Sequence, residues 1–243
     1  MVLPARRPFP MPRSGSLAHV LIVLDYDGTV TTHECNEIAL TAAVGDAWRP
    51  FEEMVHRGEI GHAECFDRQV RLIDVPRARF FAGLIDAAEP APGLREFLSV
   101  AVAGGARVVV LSAGFREAIE AVWRRHGLPP IEIVASELIG ADGDGGGPPY
   151  RIGFNAQLGD CERCGPESCK AEVVRARRRP GDVVWVFGDG ESDFCPAREA
   201  DLVFARGRLS VLAGEAGVPW RRLDFVAAAD ELAGLAEAER SRK

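Results

Sequence analysis

The chain has 243 residues, 47% hydrophobic and 27% charged, which suits one α/β domain with a smaller accessory domain and excludes disordered and collagen-like classes. Its formal net charge of -7 argues against a sequence-independent grip on nucleic acid, and any phosphate site must carry its own local cation. No apolar run approaches the ~20 residues that span a bilayer, and six cysteines without an export signal point to a reducing cytoplasm rather than a disulfide scaffold.

Residues 1–17 are rich in Pro and Arg and read as a flexible tail. Continuous β-branched runs at 19–24, 107–111, 131–135, 183–187 and 202–205 have the pattern of parallel strands buried on both faces. Helical stretches at 93–103, 115–126 and 170–178 alternate with them, so the core is expected to be a doubly wound, Rossmann-like parallel sheet. Between the first two strands, 34–89 contains no convincing strand. One helix there carries Trp48, Phe51 and Val55. A second places Phe66, Val70 and Ile73 on one face. A third starts near Pro76, where proline suits a first turn, and buries Phe80, Phe81, Leu84 and Ile85. The expected organisation is a core of 18–33 and 90–243, a small helical cap at 34–89, and a hairpin and cysteine-containing excursion at 139–169. The Gly/Pro/Asp-rich stretch 141–149 reads as that hairpin's tip. A long helix is expected from Phe225. Trp48, Trp123, Trp185 and Trp220 read as core or cap packing.

Polar residues collect where strands end. The first strand runs into Asp25-Tyr26-Asp27-Gly28-Thr29, the second into Ser112-Ala113-Gly114, and the fourth into Gly188-Asp189-Gly190-Glu191-Ser192-Asp193. In an open α/β sheet ligands bind at the carboxyl ends of strands, so three strands deliver acids, a hydroxyl and glycines to one edge. Asp25, Asp27, Asp189 and Asp193 brought together repel one another and resist ionisation. A hard divalent cation removes that conflict, and oxygen ligands with room for water and phosphate suit Mg²⁺. The cation, Lys170 and backbone N–H groups near Ala113 and Gly114 then hold a phosphate dianion. A carboxylate can serve as the nucleophile, and a second carboxyl two residues on can protonate the leaving oxygen and then deprotonate water. Taken singly, Asp-x-Asp-Gly and Gly-Asp-Gly are turn sequences, a serine after a strand is a common helix cap, and a lone lysine is a surface group. Only their joint placement carries the chemistry.

Asp25-Tyr26-Asp27-Gly28-Thr29-Val30-Thr31, Ser112 after an apolar strand, Lys170, and Gly188-Asp189-Gly190-Glu191-Ser192-Asp193, in this order over roughly 19–205, resemble the haloacid dehalogenase superfamily of phosphatases. The resemblance implies Asp25 as nucleophile, Asp27 as general acid/base, and Mg²⁺ held by Asp25, the Asp27 carbonyl and Asp189 with Asp193 supporting. It implies that Ser112 and Lys170 bind phosphate and that 34–89 is the cap. Ser112-Ala113-Gly114-Phe115-Arg116 and Glu34, which would meet a substrate amine, look like phosphoserine phosphatase. Gln69, flanked by Arg68 and Arg71, stands where that group carries a cap arginine, and Arg68 is the candidate substrate contact. The run from Gly188 through Asp193 to Phe194-Cys195-Pro196, and Cys161-Glu-Arg-Cys164 leading to Cys169-Lys170, look like phosphoethanolamine/phosphocholine phosphatases. Those share a subgroup with the enol-phosphate phosphatase of methionine salvage. The implied activity is Mg²⁺-dependent hydrolysis of a small phosphorylated metabolite through an aspartyl phosphate. The same acid pair would serve a phosphotransferase or mutase, and a non-catalytic phospho-acceptor domain also gathers acids and a lysine at strand ends. Such a domain lacks a cap and has no use for Asp27.

Cys161, Cys164 and Cys169 form C-x₂-C-x₄-C directly before Lys170. Without a second Cys pair this reads first as reduced thiols in a tight turn or a Cys161–Cys164 disulfide, and second as Zn²⁺ with a fourth ligand from elsewhere. Glu34 divides evenly between a substrate contact and a solvated first-turn acid.

Overall fold

A computed structural model describes residues 17–141 and 146–240; the expected tail, over 1–16, and the loop tip 142–145 lie outside them. The strands are β1 (Val20–Leu24), β2 (Arg107–Phe115), β3 (Glu132–Ile139), β4 (Arg151–Gly153), β5 (Gly159–Cys161), β6 (Gly165–Cys169), β7 (Val183–Gly188), β8 (Leu202–Ala205) and β9 (Trp220–Arg222). The helices are α1 (Cys35–Val44), α2 (Arg49–His56), α3 (His62–Arg71), α4 (Arg77–Ala87), α5 (Leu94–Ala103), α6 (Arg116–Arg125), α7 (Ala171–Arg177), α8 (Phe194–Arg198), α9 (Gly207–Glu215) and α10 (Phe225–Arg240).

Seven strands form one sheet in the order β4-β3-β2-β1-β7-β8-β9, and all neighbours are parallel except β3 and β4. β1 is buried along its whole length because it lies between β2 and β7 and both its faces are covered. Val20, Ile22 and Leu24 face one core with residues of α5 and α10, while Leu21 and Val23 face another with Val173 and Val174 of α7. That two-sided burial is why the run is continuously apolar rather than alternating. In the first core Phe187 stacks on Phe204 at 4.3 Å and on Phe225 at 5.2 Å between ring centres, contacts worth about 0.5–1.5 kcal/mol each beyond simple burial. Phe225 thereby docks the start of α10 against α5.

The order of strands decides where a site can form. The chain moves outward from β1 to β2 and β3, then restarts on the other side with β7, β8 and β9. The carboxyl ends of β2, β1 and β7 therefore flank a topological switch point. At the end of β1 the chain makes a tight turn over Tyr26–Val30, closed by Thr31 N–H on the Tyr26 carbonyl at 3.1 Å. Gly28 sits there at φ +65°, the left-handed region that a side chain resists.

From this turn the chain leaves for α1–α4 and returns beside its own exit. Thr31 pairs with Pro90, Thr32 N–H reaches the Glu89 carbonyl at 2.9 Å, and Ala91 N–H reaches the Val30 carbonyl at 2.8 Å. The four helices bury Leu40, Trp48, Val70, Phe80, Phe81 and Leu84 in a second core, shared with Phe115, Val122, Tyr150 and Ile152. Ile73 belongs to this core but lies beyond α3, which ends at Arg71.

Several expectations are corrected. The second strand continues past Leu111 through Ser112 to Phe115, with a register shift against β3. The helix expected to carry Trp48, Phe51 and Val55 is α2, with Trp48 in the turn before it, and α1 was not expected because its apolar residues do not share one face; Ile38 is exposed. Helices expected from residues 115 and 170 begin one residue later, so Lys170 caps α7. Trp220, expected in a core, is 42% exposed on the edge strand β9, whose one neighbour is β8.

Candidate active site

Asp25 follows the last residue of β1, and its N–H bonds the Phe187 carbonyl of β7 at 3.0 Å, which ties the two strand ends together. Asp189 and Asp193 follow β7. Carboxylate oxygens of Asp25, Asp189 and Asp193 lie within 4.8 Å of one another. Lys170 reaches the same point from the entrance to α7, and its Nζ donates to Asp25 Oδ1 at 2.5 Å, to Asp193 Oδ1 at 2.7 Å and to Ser192 Oγ at 3.5 Å. Lys170 and Asp193 are 4% and 2% exposed, so this is a desolvated ion pair.

Asp193 spends both oxygens inside the protein. Oδ1 takes Lys170, and Oδ2 takes the N–H groups of Asp189 and Gly190, both at 3.2 Å. It therefore orients Lys170 and the Asp189 backbone, a supporting place in the acid group. Asp189 Oδ1 accepts from Thr29 Oγ1 at 3.3 Å. Asp27 points to the helical side: Oδ1 accepts the Cys35 N–H at 2.9 Å, and Oδ2 accepts from the Asn36 side-chain amide. Ser112 is buried within β2, just past Leu111 where its register against β3 shifts, and its Oγ accepts the Gly114 N–H at 2.9 Å. That amide is thus already engaged, while Ala113 is exposed at the register break.

The electrostatics follow from burial. Loss of solvent, then the charges of Asp193 and Asp189, raises Asp25 well above the usual carboxylate range against the opposite pull of Lys170. Burial raises Asp27 to about 6 although the bonds from Cys35 and Asn36 favour its ionised form. Burial and Asp193 also raise Asp189, with Arg206 opposing. Burial alone would lower Lys170, but Asp193 and Asp25 more than offset it and hold the ammonium charged. Glu34 is exposed as a residue, yet its carboxyl leans over Gly28 towards Asp189. Burial of that carboxyl, with Asp189 and Asp27 close by, raises it to about 8.

A crowd of hard oxygen donors that resist joint ionisation, with one buried ammonium among them, fits a hard divalent cation such as Mg²⁺. Asp25 and Asp189 have the carboxylates to hold it.

The remaining sequence candidates divide. Glu34 joins the site. Arg68 does not: among the described residues its polar partners are Glu64 at 2.5 Å and Met54, both in the helices between β1 and β2. Arg71 pairs with Asp67 at 2.7 Å. Gln69 is buried, and its amide donates to Glu52 Oε1 at 2.7 Å. Cys161, Cys164 and Cys169 gather beside Lys170 as free thiols, not joined by a Cys161–Cys164 disulfide.

Sequence reasoning gave no site role to Asn36, His62, Arg206 or Cys195. Asn36 holds Asp27. His62, at the start of α3, feels the charges of Glu191, Glu52 and Lys170, and burial lowers its pKa. Arg206 lies near Asp189 and donates to the Thr31 carbonyl at 3.2 Å. Asn36 and Cys195 are near motifs in sequence; His62 and Arg206 arrive through tertiary folding.

Comparison with known proteins agrees with this geometry. A family model described as haloacid dehalogenase-like hydrolase matches residues 22–198. A 2-hydroxy-3-keto-5-methylthiopentenyl-1-phosphate phosphatase from Exiguobacterium sibiricum is 27% identical, covering 83% of this chain and 90% of its own. A phosphoserine phosphatase from Halobacterium salinarum is 30% identical over 51% of this chain and 59% of its own. Among solved structures, a substrate-bound phosphoserine phosphatase complex superimposes with a TM-score of 0.65 at 22% identity, covering 87% of this chain and 97% of that one, a likeness of fold. The matched span takes in the strand ends that carry Asp25, Ser112 and Asp189 together with Lys170, and the chain belongs to the haloacid dehalogenase-like hydrolase family.

Proposed function

We propose that the chain is a Mg²⁺-dependent phosphomonoesterase that hydrolyses a small phosphorylated metabolite through an aspartyl phosphate on Asp25. The observation that carries this is Lys170, buried and bonded to both Asp25 and Asp193 at one sheet edge beside Asp189. Asp25, Asp189 and the Asp27 carbonyl would hold the cation, with Asp193 behind them. Mg²⁺ supplies, when bound, positive charge against the acids and the phosphoryl oxygens.

The chain's own groups then divide the work. A carboxylate oxygen of Asp25 attacks phosphorus as the ester P–O bond breaks. Asp27 gives its proton to the departing alcohol oxygen and afterwards takes one from the water that attacks the aspartyl phosphate, which frees Asp25 and inorganic phosphate. Its elevated pKa of about 6 keeps both proton states accessible near neutrality, and the bonds from Cys35 and Asn36 hold the carboxyl in place. Lys170 and Ser112 bind phosphoryl oxygens. The helices of 34–89 act as a cap whose two connections run side by side at Thr31–Thr32 and Glu89–Ala91.

The named relatives are phosphatases of 2-hydroxy-3-keto-5-methylthiopentenyl-1-phosphate and of phosphoserine. Phosphoserine, phosphoethanolamine or phosphocholine, and the enol phosphate are the candidate substrates. Gln69 is neutral and tied to Glu52, and Glu34 is acidic, so the cap side favours a substrate whose far end is cationic or neutral over a free carboxylate. The test is phosphate release by purified protein from these four esters, with Mg²⁺ and with chelator, alongside Asp25→Asn. Release is expected with Mg²⁺ alone and is lost in the variant while the fold stays intact. Turnover by Asp25→Asn, or no Mg²⁺-dependent release from any ester, refutes the assignment.

A further inference from the structure

The cysteines before Lys170 acquire a fourth partner through the fold. Cys161 ends β5, Cys164 lies in the turn, Cys169 ends β6, and Cys195 is in the first turn of α8, after the Asp189–Asp193 segment. Their four sulfur atoms lie within 4.8 Å of one another. Cys195 Sγ is 3.9 Å from Cys161 Sγ and 3.6 Å from Cys164 Sγ.

Two kinds of chemistry draw sulfurs together, and their geometries differ. A disulfide sets them at about 2.05 Å. Four thiolates around Zn²⁺, each at about 2.3 Å in tetrahedral array, lie about 3.8 Å from one another. The two separations above bracket the second value, and all four cysteines are unbonded. The Cys164 N–H donates to Cys161 Sγ at 3.2 Å. Such an amide bond favours a thiolate over a thiol and orients it as a ligand.

The hairpin also needs a support that its own sequence lacks. β5 and β6 form a separate two-stranded sheet, and such a pair is marginal alone in water. Its local buried cluster consists of Cys164, Cys169 and Ala171, with Cys161 and Cys195 packed against it. Among the described residues no large apolar side chain belongs to that cluster.

We infer that Cys161, Cys164, Cys169 and Cys195 form a closed tetrathiolate site for one structural Zn²⁺, distinct from the oxygen-lined acid cluster. Soft thiolates select Zn²⁺ and reject Mg²⁺, so the two sites do not compete. The position gives the site a purpose. Cys169 directly precedes Lys170, and Cys195 stands two residues after Asp193. The metal thus joins the two chain segments that supply the Lys170–Asp193 ion pair. The turn at Cys164–Gly165 in addition packs under Gly61, at the start of α3.

The experiment is elemental analysis of the full chain, purified under reducing conditions, together with the visible spectrum after exchange into Co²⁺. About one zinc per chain, and the thiolate-to-cobalt charge-transfer and ligand-field bands of a tetrahedral sulfur site, are expected. Cys195→Ser should lose the zinc and the cobalt spectrum, whereas Cys65→Ser, outside the cluster, should keep both. If Cys195→Ser fails to fold, Cys161→Ser, also only half-buried, tests the same loss. Zinc-free wild-type protein in which the four cluster cysteines are titratable thiols, a disulfide among them by mass spectrometry, or iron in place of zinc would each overturn the assignment. These readouts do not use turnover, so their failure leaves the phosphatase proposal standing, and the reverse also holds.

Discussion

Replacing Asp193 by Asn keeps the side chain's size and removes its charge, which isolates what the buried ion pair contributes. In the native protein Oδ1 faces the Lys170 ammonium at 2.7 Å and Oδ2 faces two backbone N–H groups at 3.2 Å. Both places require an acceptor. An asparagine must turn its NH₂ towards one of them, so a donor meets a donor whichever way the amide lies. Removing one partner of a buried pair costs about 3–5 kcal/mol. Lys170 keeps Asp25 at 2.5 Å, which favours the lower end. The expected loss is therefore about 3 kcal/mol, and at about 2–4 °C per kcal/mol for a chain of this size Tm falls by about 6–12 °C. Urea unfolding followed by circular dichroism, with EDTA present to remove metal linkage, measures it. Lys170→Met alone should also destabilise, since it leaves Asp25 and Asp193 facing each other without a cation. The double variant should lose less than the two single losses added, by about 1–3 kcal/mol. An Asp193→Asn protein within about 0.5 kcal/mol of wild type, the range of an ordinary surface change, would refute the role assigned to the pair.

Asp27→Asn should slow hydrolysis of an alkyl phosphate far more than of an aryl phosphate, because only the poor leaving group depends on a proton donor; equal slowing of both would remove Asp27 from that role. Gly28→Ala places a methyl against Glu34 Oε1 and Asp189 Oδ2 at φ +65°, and urea unfolding should register a loss of at least about 1–2 kcal/mol together with weaker Mg²⁺ binding. In metal-free protein, burial holds Asp25, Asp27, Asp189 and Glu34 above their ordinary pKa values. An acid raised in the folded state contributes stability below its unfolded pKa and loses it as pH rises through the folded value, here from about 6 for Asp27 to about 8 for Glu34. The increase in Tm on adding Mg²⁺ should therefore grow across that window, as the cation takes the place of departing protons. His62, which titrates nearby, is present with and without metal and largely cancels in the difference. A Tm increment that shrinks as pH rises would contradict the buried acid cluster.

The strand that carries Asp25 and the strand before Asp189 were legible because two-sided burial writes itself as an unbroken apolar run, as in VLIVL at Val20–Leu24. The site motifs were legible for a related reason. A polar cluster directly after a buried strand must lie at the sheet's edge, so Asp25 and Asp189 could be placed at strand ends before any pairing was known, whereas Ser112 proved to lie within β2. Local chemistry wrote less of the rest. α1 lacks one apolar face, and β9 is a three-residue edge strand, so neither leaves a strong periodic signal.

By itself the sequence determined the alternation of strand and helix, the helical interruption after the first strand, and the acids and lysine that chemistry would need. Tertiary structure decided which of those groups meet. It placed β1 between β2 and β7, which brought Lys170 to Asp25 and Asp193, kept Arg68 on the helical segment with Glu64, and carried Cys195 to the three cysteines of the hairpin. The physical reason is that periodicity and turn chemistry act over a few residues, whereas these encounters join segments far apart along the chain and depend on strand order.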